Sequence, residues 1–289
     1  MDSVQPEQYL NREVVLSSSD GKDVITLDAI QAGLTRGEFF LEYLPTVSLV
    51  DNRCVGAEAL TRWRRPSGVV PPHVFIPLIE QTPLSGLLTY WVIETVAKEL
   101  GEWLRSHEEF HIAVNVPPEI LGRGGMEYVA KKTGLDKLRR QFILEVTERG
   151  LPDQMGVDAV AAWSQTGIRI ALDDVTLSGA NLAVLSRCPF NVLKIDSMHV
   201  SQITPACPNP EWLGGLSAVL QSARVEVIAE GVETEAQVTS LRAAGVLMAQ
   251  GFYFSVPVVA EELKRYYTRM NERRTESDKT RQENRLPIR

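Results

Sequence analysis

Short apolar runs that end in a polar side chain recur along this chain. In residues 168–174, large apolar residues alternate with Arg169 and Ala171, as in a strand with one packed face, and the run ends on Asp173 and Asp174. Six further runs carry one polar residue each near their C-terminal end: Glu58, Asn115, Glu145, Lys194, Glu230 and Gln250. Because buried ionisable groups are costly unless they are paired or bind something, we expect these side chains to form one shared site.

The order of these elements predicts the class of fold. From about residue 111 onward, each apolar run is followed by a segment with helical spacing, which indicates a parallel sheet with crossover helices. Residues 39–49 and 54–63 are separated by a short turn and are predicted to form an antiparallel hairpin. Eight strands in total suggest closure into an α/β barrel, in which functional side chains lie at the C-terminal strand ends.

A single barrel domain accounts for most of the length. The chain has 289 residues, and one such barrel takes about 250. We expect a flexible leader over residues 1–22, the barrel over 23–270 with a last helix over 260–270, and a charged, disordered tail over 271–289.

Composition limits the classes of ligand and the location. The net charge of −7 argues against a protein that binds duplex nucleic acid. An anionic small ligand could still bind among carboxylates if divalent cations lay between them. No apolar run approaches the roughly 18 residues of a membrane segment. The scattered cysteines Cys54, Cys188 and Cys207 form no spaced set, which fits a cytoplasmic protein.

Residues 107–111 satisfy the H-E-x-x-H pattern of helical zinc proteases. That pattern needs both histidines on one helix, but His111 opens a predicted strand. We therefore do not expect a zinc protease.

Several motifs together resemble the EAL-domain phosphodiesterases, which hydrolyse cyclic di-GMP to linear pGpG. The triplet Glu58-Ala59-Leu60 lies within residues 56–63, and the other motifs follow in the family order over roughly residues 28–270. They occupy residues 75–80, 114–116, 144–148, 173–174, 193–196, 229–233 and 250–252. The resemblance implies a modified (β/α)8 TIM-like barrel with one antiparallel strand, in agreement with the predicted hairpin.

The resemblance also implies two divalent cations, Mg²⁺ or Mn²⁺, that activate water and neutralise the phosphate. Its ligands for one cation match Glu58, Asn115, Glu145 and Asp173, and those for the second match Asp173, Asp174 and Glu230. All are hard oxygen donors, as these ions require. The residues assigned to catalysis are Glu58, Lys194 and Glu230. Lys194 either holds or deprotonates the attacking water, or only pairs with the carboxylates around it.

The same resemblance implies residues for substrate binding and for support. Arg62 matches an arginine that contacts phosphate, and Leu60, Asp196 and Gln250 are assigned to the same binding site. Glu148 and Glu233 fall where they would support the metal ligands.

Two departures from the family pattern leave the function open. In the loop 175–181, Thr176 and Ser178 replace two family glycines, and threonine cannot adopt glycine backbone geometries cheaply. Leu44 stands where the family commonly has glutamine. Two functions remain: a metal-dependent phosphodiesterase, whose activity the altered loop could reduce, and a cyclic di-GMP receptor that acts through a protein partner. A homodimer is a further expectation.

Overall fold

The computed structural model describes residues 13–18, 21–147, 153–175, 189–222 and 225–283. The strands are β1 (Glu13–Ser18), β2 (Gly21–Thr26), β3 (Phe39–Ser48), β4 (Cys54–Arg65), β5 (Gly68–Val70), β6 (His111–Asn115), β7 (Phe142–Thr147), β8 (Arg169–Val175), β9 (Val192–Ile195), β10 (Glu226–Ala229) and β11 (Met248–Ala249). The α-helices are α1 (Leu27–Arg36), α2 (Pro72–Ile79), α3 (Pro83–Arg105), α4 (Gly125–Thr133), α5 (Gln154–Gln165), α6 (Ser197–Val200), α7 (Glu211–Ser222), α8 (Glu235–Ala243) and α9 (Ala260–Glu283). Short 3-10 helices occur at Pro118–Ile120 and Leu135–Gln141.

Eight of these strands form a closed barrel. Their order is β3-β11-β10-β9-β8-β7-β6-β4, and pairing of β3 with β4 closes the ring. Strand β3 runs antiparallel to both of its neighbours, whereas the other neighbouring pairs are parallel. The predicted α/β barrel with one antiparallel strand is therefore confirmed. So is the hairpin, which pairs Phe39 with Trp63 at its open end.

Both ends of the described chain differ from the sequence prediction. Strands β1 and β2 pair antiparallel from Glu13 opposite Thr26, in a segment that the sequence places largely in an irregular leader. The last helix was predicted to end at Met270, but α9 continues to Glu283. The limits of leader, barrel and tail remain predictions.

Helices cover the outside of the barrel. The apolar stripe of α3 is buried in the main core, as its spacing predicts, through Val92, Val96, Leu100 and others. Helix α9 contacts the start of β4, where the Asn271 side chain accepts a hydrogen bond from the Cys54 amide and donates one to its carbonyl. Within the described ranges, no helix is long and apolar enough to cross a membrane.

An apolar floor fills the barrel interior. Six strands each contribute one side chain to it: Ala113, Ile143, Ala171, Val192, Ile228 and Met248. Side chains on a strand alternate between its faces, so the residue two positions later points the same way, about 6.6 Å further on. Those residues are Asn115, Glu145, Asp173, Lys194, Glu230 and Gln250. With Glu58 of β4 they form a group that we call the polar layer.

Below the floor, the backbones of β4 and β6 approach closely. Gly56 pairs with His111, and a Cβ on Gly56 would lie 2.1 Å from His111 Nε2. His111 is fully buried, and burial, with the charge of Arg169 adding, lowers its pKa to about 3, so the ring is neutral. The barrel can close here only because position 56 lacks a side chain.

We expect Gly56→Ala to lower the free energy of unfolding by about 2 kcal/mol, because the added methyl would overlap the His111 ring. Urea denaturation monitored by circular dichroism measures the change. Gly214→Ala is the matched control, since a Cβ there meets no atom within 4 Å. Adding His111→Ala to Gly56→Ala should make the two losses less than additive. Strict additivity would show that the two side chains do not collide.

Candidate active site

One buried ammonium lies among four carboxylates in the polar layer. Lys194 Nζ is 2.6 Å from Glu230 Oε1, 2.8 Å from Glu145 Oε1, 3.1 Å from Glu58 Oε2 and 3.3 Å from Asp173 Oδ1. Glu145, Asp173 and Lys194 lie near the C-terminal ends of β7, β8 and β9, Glu230 directly follows β10, and Glu58 lies near the middle of the longer strand β4. The structure therefore brings together four of the acidic residues that the sequence placed in one site.

Two amide side chains hold Glu58 in place. Asn115 Nδ2 donates to Glu58 Oε1 over 3.0 Å. Gln250 Nε2 donates to Glu58 Oε2 over 2.7 Å and to Glu230 Oε1 over 3.0 Å. Gln250 thus links two carboxylates on opposite sides of β11 and β3, and its predicted place beside the acidic residues agrees with the observed contacts.

Thr46 is a residue of the site that sequence reasoning missed. It is buried on β3, and its Oγ1 donates to Gln250 Oε1 over 3.3 Å. This contact directs the Gln250 amide so that its nitrogen faces the carboxylates. Residues two apart on a strand share a face, so the sequence could have placed Thr46 on the same face of β3 as Leu44. Leu44 is the residue paired with Glu58.

Several buried oxygens of the site accept no hydrogen bond within the described part of the chain. These are both carboxylate oxygens of Glu145 and Oδ1 of Asp173. Lys194 lies close enough to attract them but is not aligned to donate to them. Burying a carboxylate oxygen without a hydrogen-bond donor costs free energy, so these oxygens are suited to bind a cation.

Burial and charge act in opposite directions on Glu58 and together on Glu145. Burial would raise the pKa of Glu58, but the charge of Lys194 and hydrogen bonds from Gln250, Lys194 and Asn115 lower it. Burial raises the pKa of Glu145 well above its usual value, and the charge of Glu58 adds to that rise against Lys194. The two carboxyls therefore differ in their affinity for protons.

The pKa values of Lys194 and Glu230 are both raised, but for different reasons. Burial alone would lower the pKa of Lys194, but the four carboxylates hold it well above its usual value. Burial raises the pKa of Glu230 to about 8, with Lys194 opposing and the nearby acidic groups adding to the rise. Lys194 is thus a permanent cation, and a single positive charge faces four acidic groups.

The donor set fits divalent cations that prefer oxygen ligands. The four carboxylates, two of which have buried oxygens that accept no hydrogen bond, outnumber the one ammonium, and these residues are the hard donors that Mg²⁺ and Mn²⁺ take. In the described arrangement Lys194 lies between these carboxylates, and no three His, Cys, Asp or Glu side chains of the described residues form a metal site. A cation would therefore have to displace some of the contacts of Lys194.

The remaining predicted site residues lie around this layer or outside the described part. Arg62 Nε donates to Glu42 Oε2 over 2.8 Å, and Leu60 lies between Arg62 and Glu58 on β4. Asp196 accepts from the Met198 amide and caps α6, and Glu233 is exposed ahead of α8. Glu148, the Asp174 side chain and the loop 176–181 fall outside the described residues. The roles of all these residues remain predictions.

The zinc-protease pattern is not built in this structure. Helix α3 ends at Arg105, and His111 is the first residue of β6. His107 therefore lies in the loop after α3 and His111 on a strand, so the two histidines do not share a helix.

Comparison with known proteins gives a consistent family match. The profile of the EAL domain matches residues 27–257. The chain is 30% identical over 241 residues to a probable cyclic di-GMP phosphodiesterase, PdeB of Escherichia coli K12, with 82% of this chain and 46% of PdeB covered. It is 30% identical over 261 residues to MucR of Pseudomonas aeruginosa, a bifunctional diguanylate cyclase and cyclic di-GMP phosphodiesterase, with 88% and 38% covered. The chain thus spans less than half the length of these two relatives.

Solved structures share the architecture. The MucR phosphodiesterase in complex with cyclic di-GMP superposes with a TM-score of 0.73 at 29% identity, covering 82% of this chain and 98% of that one. The EAL enzyme Bd1971, bound to cAMP and cyclic di-GMP, gives a TM-score of 0.72 at 28% identity, covering 83% and 67%.

We expect the protein in EDTA to lose stability as the pH rises from about 6.5 to 8. The folded chain holds a proton on Glu230, whose pKa is about 8, that the unfolded chain has released above the usual value of 4.5. The lowered pKa of His111 favours folding as the pH rises, but that contribution is already half complete at its usual value of 6.5, ends about one pH unit higher, and does not outweigh the protons retained in the polar layer. The slope above pH 6.5 is therefore negative, at least about 1 kcal/mol for each pH unit, because Glu145, whose pKa is also raised, retains a proton as well.

Urea denaturation at several pH values measures this slope. Glu230→Gln should make it shallower, because glutamine does not titrate and only the proton held by Glu145 then remains, whereas Glu235→Gln, at an exposed position on α8, should leave it unchanged. A wild-type profile that is level or rising above pH 6.5 would contradict the assignment of a retained proton to the polar layer.

Proposed function

The chain belongs to the EAL domain family, and we propose that it hydrolyses cyclic di-GMP to linear pGpG with the help of two divalent cations, Mg²⁺ or Mn²⁺. The observation that carries the proposal is the polar layer, in which four carboxylates face one ammonium. The relatives named above, described as cyclic di-GMP phosphodiesterases, support the choice of substrate.

The residues that would hold the cations are those of the acidic set and its amide neighbour: Glu58, Asn115, Glu145, Asp173, Asp174 and Glu230. Bound there, the cations would lower the pKa of a water molecule and neutralise charge on the phosphodiester. Gln250 would keep Glu58 and Glu230 directed into the layer, and Thr46 would keep Gln250 in the required orientation. The apolar floor excludes water from below, which strengthens the electrostatic interactions above it.

Lys194 has a defined part in this proposal. Its pKa lies well above the usual value because of the surrounding carboxylates, so Nζ keeps its proton near neutral pH. With that proton retained, it would donate a hydrogen bond that orients the attacking water. Its ion pairs also keep the acidic side chains together before the substrate binds.

The ends of the barrel strands supply the remaining contacts of the proposed site. Arg62 would contact the phosphate of cyclic di-GMP, next to Leu60, with Asp196 at the rim. Glu148 and Glu233 are proposed as supports for the metal ligands. A cytoplasmic location and a homodimer or regulatory partner complete the proposal.

A receptor is the alternative, and the loop 175–181 favours it. Two family glycines are replaced in this loop, and Leu44 stands in place of a glutamine. Both changes reduce the likeness to active family members. In that case the barrel would bind cyclic di-GMP without cleaving it and would transmit binding to a protein partner.

We expect the purified protein to convert cyclic di-GMP to pGpG with Mg²⁺ or Mn²⁺ and to lose this activity in EDTA. Glu58→Gln should reduce turnover at least about 100-fold, since it removes a charge that the cations require. Glu94→Gln, which alters a surface ion pair with Lys132, is the matched control and should be as active as the wild type.

Chromatography of the nucleotide products measures turnover, and titration calorimetry of cyclic di-GMP measures binding. Tight binding by the wild type without product, in the presence of either cation, would establish the receptor and contradict the enzyme. Product formation in excess EDTA would contradict the dependence on metal.

A further inference from the structure

The inward face of the β3–β4 hairpin continues beyond the polar layer. Glu58, Leu60 and Arg62 are spaced two apart on β4 and therefore share one face. Residues directly opposite on an antiparallel pair point to the same side, and Leu44 is opposite Glu58 while Glu42 is opposite Leu60. Glu42 and Arg62 are thus the next charged side chains of this hairpin beyond Glu58.

These two side chains form an ion pair. Arg62 Nε lies 2.8 Å from Glu42 Oε2, and the side chains are 15% and 29% exposed, respectively. Arg62 Nη1 also donates to the Thr61 carbonyl over 3.1 Å. The guanidinium is thereby fixed in direction, and its charge is compensated by a carboxylate of the same hairpin.

Lys194, the other cation that the described residues place at the site, cannot replace Arg62 as a source of positive charge. Lys194 already faces four carboxylates and lies deeper in the barrel. A ligand with two phosphodiester anions that enters the C-terminal end of the barrel meets a strongly acidic interior. Any uncompensated positive charge at the entrance would therefore have a large effect on its affinity.

We propose that Glu42 weakens the binding of cyclic di-GMP by neutralising Arg62. The inference rests on the proposed function, because it takes the phosphodiester of this nucleotide as the partner of Arg62. An incoming phosphate must either displace the Glu42 carboxylate or approach a guanidinium whose charge is compensated. Both cost affinity, since a partly buried pair is not fully screened by water or salt. Glu42 therefore sets the ligand concentration at which the protein responds.

The hairpin does not depend on this ion pair for its structure. Strands β3 and β4 are paired in register from Phe39 opposite Trp63 through Thr46 opposite Gly56. Glutamine at position 42 has the same shape as glutamate and keeps an oxygen that can accept from Arg62. Glu42→Gln therefore removes the charge and keeps the packing.

The experiment compares wild type, Glu42→Gln, Arg62→Gln and the double variant. Titration calorimetry with cyclic di-GMP in EDTA gives the affinity, and steady-state kinetics with Mg²⁺ separate KM from kcat. We expect Glu42→Gln to bind about three- to tenfold more tightly, with a lower KM and an unchanged kcat. In the Arg62→Gln background the same substitution should give a clearly smaller gain in affinity, because no guanidinium charge remains to be released and only the repulsion between the Glu42 carboxylate and the phosphate is removed.

Glu226→Gln is the matched control for net charge. Glu226 accepts from Arg169 over 2.9 Å at the start of β10, at the opposite end of the barrel. The substitution Glu226→Gln removes the same charge from a similar ion pair, and we expect no change in the affinity for cyclic di-GMP. An equal gain in Glu226→Gln would overturn the proposal, since the effect would then come from overall charge.

The failure of this inference differs from the failure of the proposed function. If wild type binds cyclic di-GMP and Glu42→Gln binds it equally or more weakly, Glu42 is not an attenuator and only this inference is overturned. If neither protein binds it, the proposed function fails and this inference fails with it. Binding by Glu42→Gln alone would support both.

Discussion

The active site depends on one electrostatic constraint, the excess of buried carboxylates over the single ammonium of Lys194. Four acidic side chains within 3.3 Å of Nζ cannot all be ionised at low cost, and the raised pKa values of Glu145 and Glu230 express that conflict. Protons relieve it in the metal-free chain, and divalent cations would relieve it more completely. The same excess makes the barrel entrance unfavourable to anions, so the state of Arg62 matters for a dianionic ligand.

The pleat of the barrel strands creates this constraint. The floor residues and the polar layer are two positions apart on each strand, so closure of the barrel over apolar side chains forces the polar ones together above them. Gly56 and His111 allow the same strands to approach below the floor. The apolar side chains that pack the barrel therefore lie below, and the charged side chains of the polar layer lie above them along the barrel axis.

Much of this was predictable from sequence, because strand ends have a local signature. Alternating apolar residues followed by Glu145, Asp173 or Lys194 indicate both the strand and its functional end. The closed barrel followed from the count of strands, and the antiparallel one from the hairpin turn. Contacts between side chains that are far apart in the sequence leave no such signature at a strand end. Thr46 of β3 orients Gln250, which directly follows the neighbouring strand β11. Glu42 looks like a surface charge in the sequence, and its pairing with Arg62 is visible only in the structure. The β1–β2 hairpin was missed because its short apolar segments, residues 14–16 and 24–25, lie among serine, glycine and charged residues that are typical of loops.

Anomalous diffraction from crystals grown with MnCl₂ and cyclic di-GMP tests the central claim most directly. The claim predicts manganese bonded to oxygens of Glu58, Glu145 and Asp173, with Lys194 in contact with fewer carboxylates than in the metal-free chain. Bound cyclic di-GMP above a polar layer that contains no manganese, with Lys194 still paired to all four carboxylates, would contradict it.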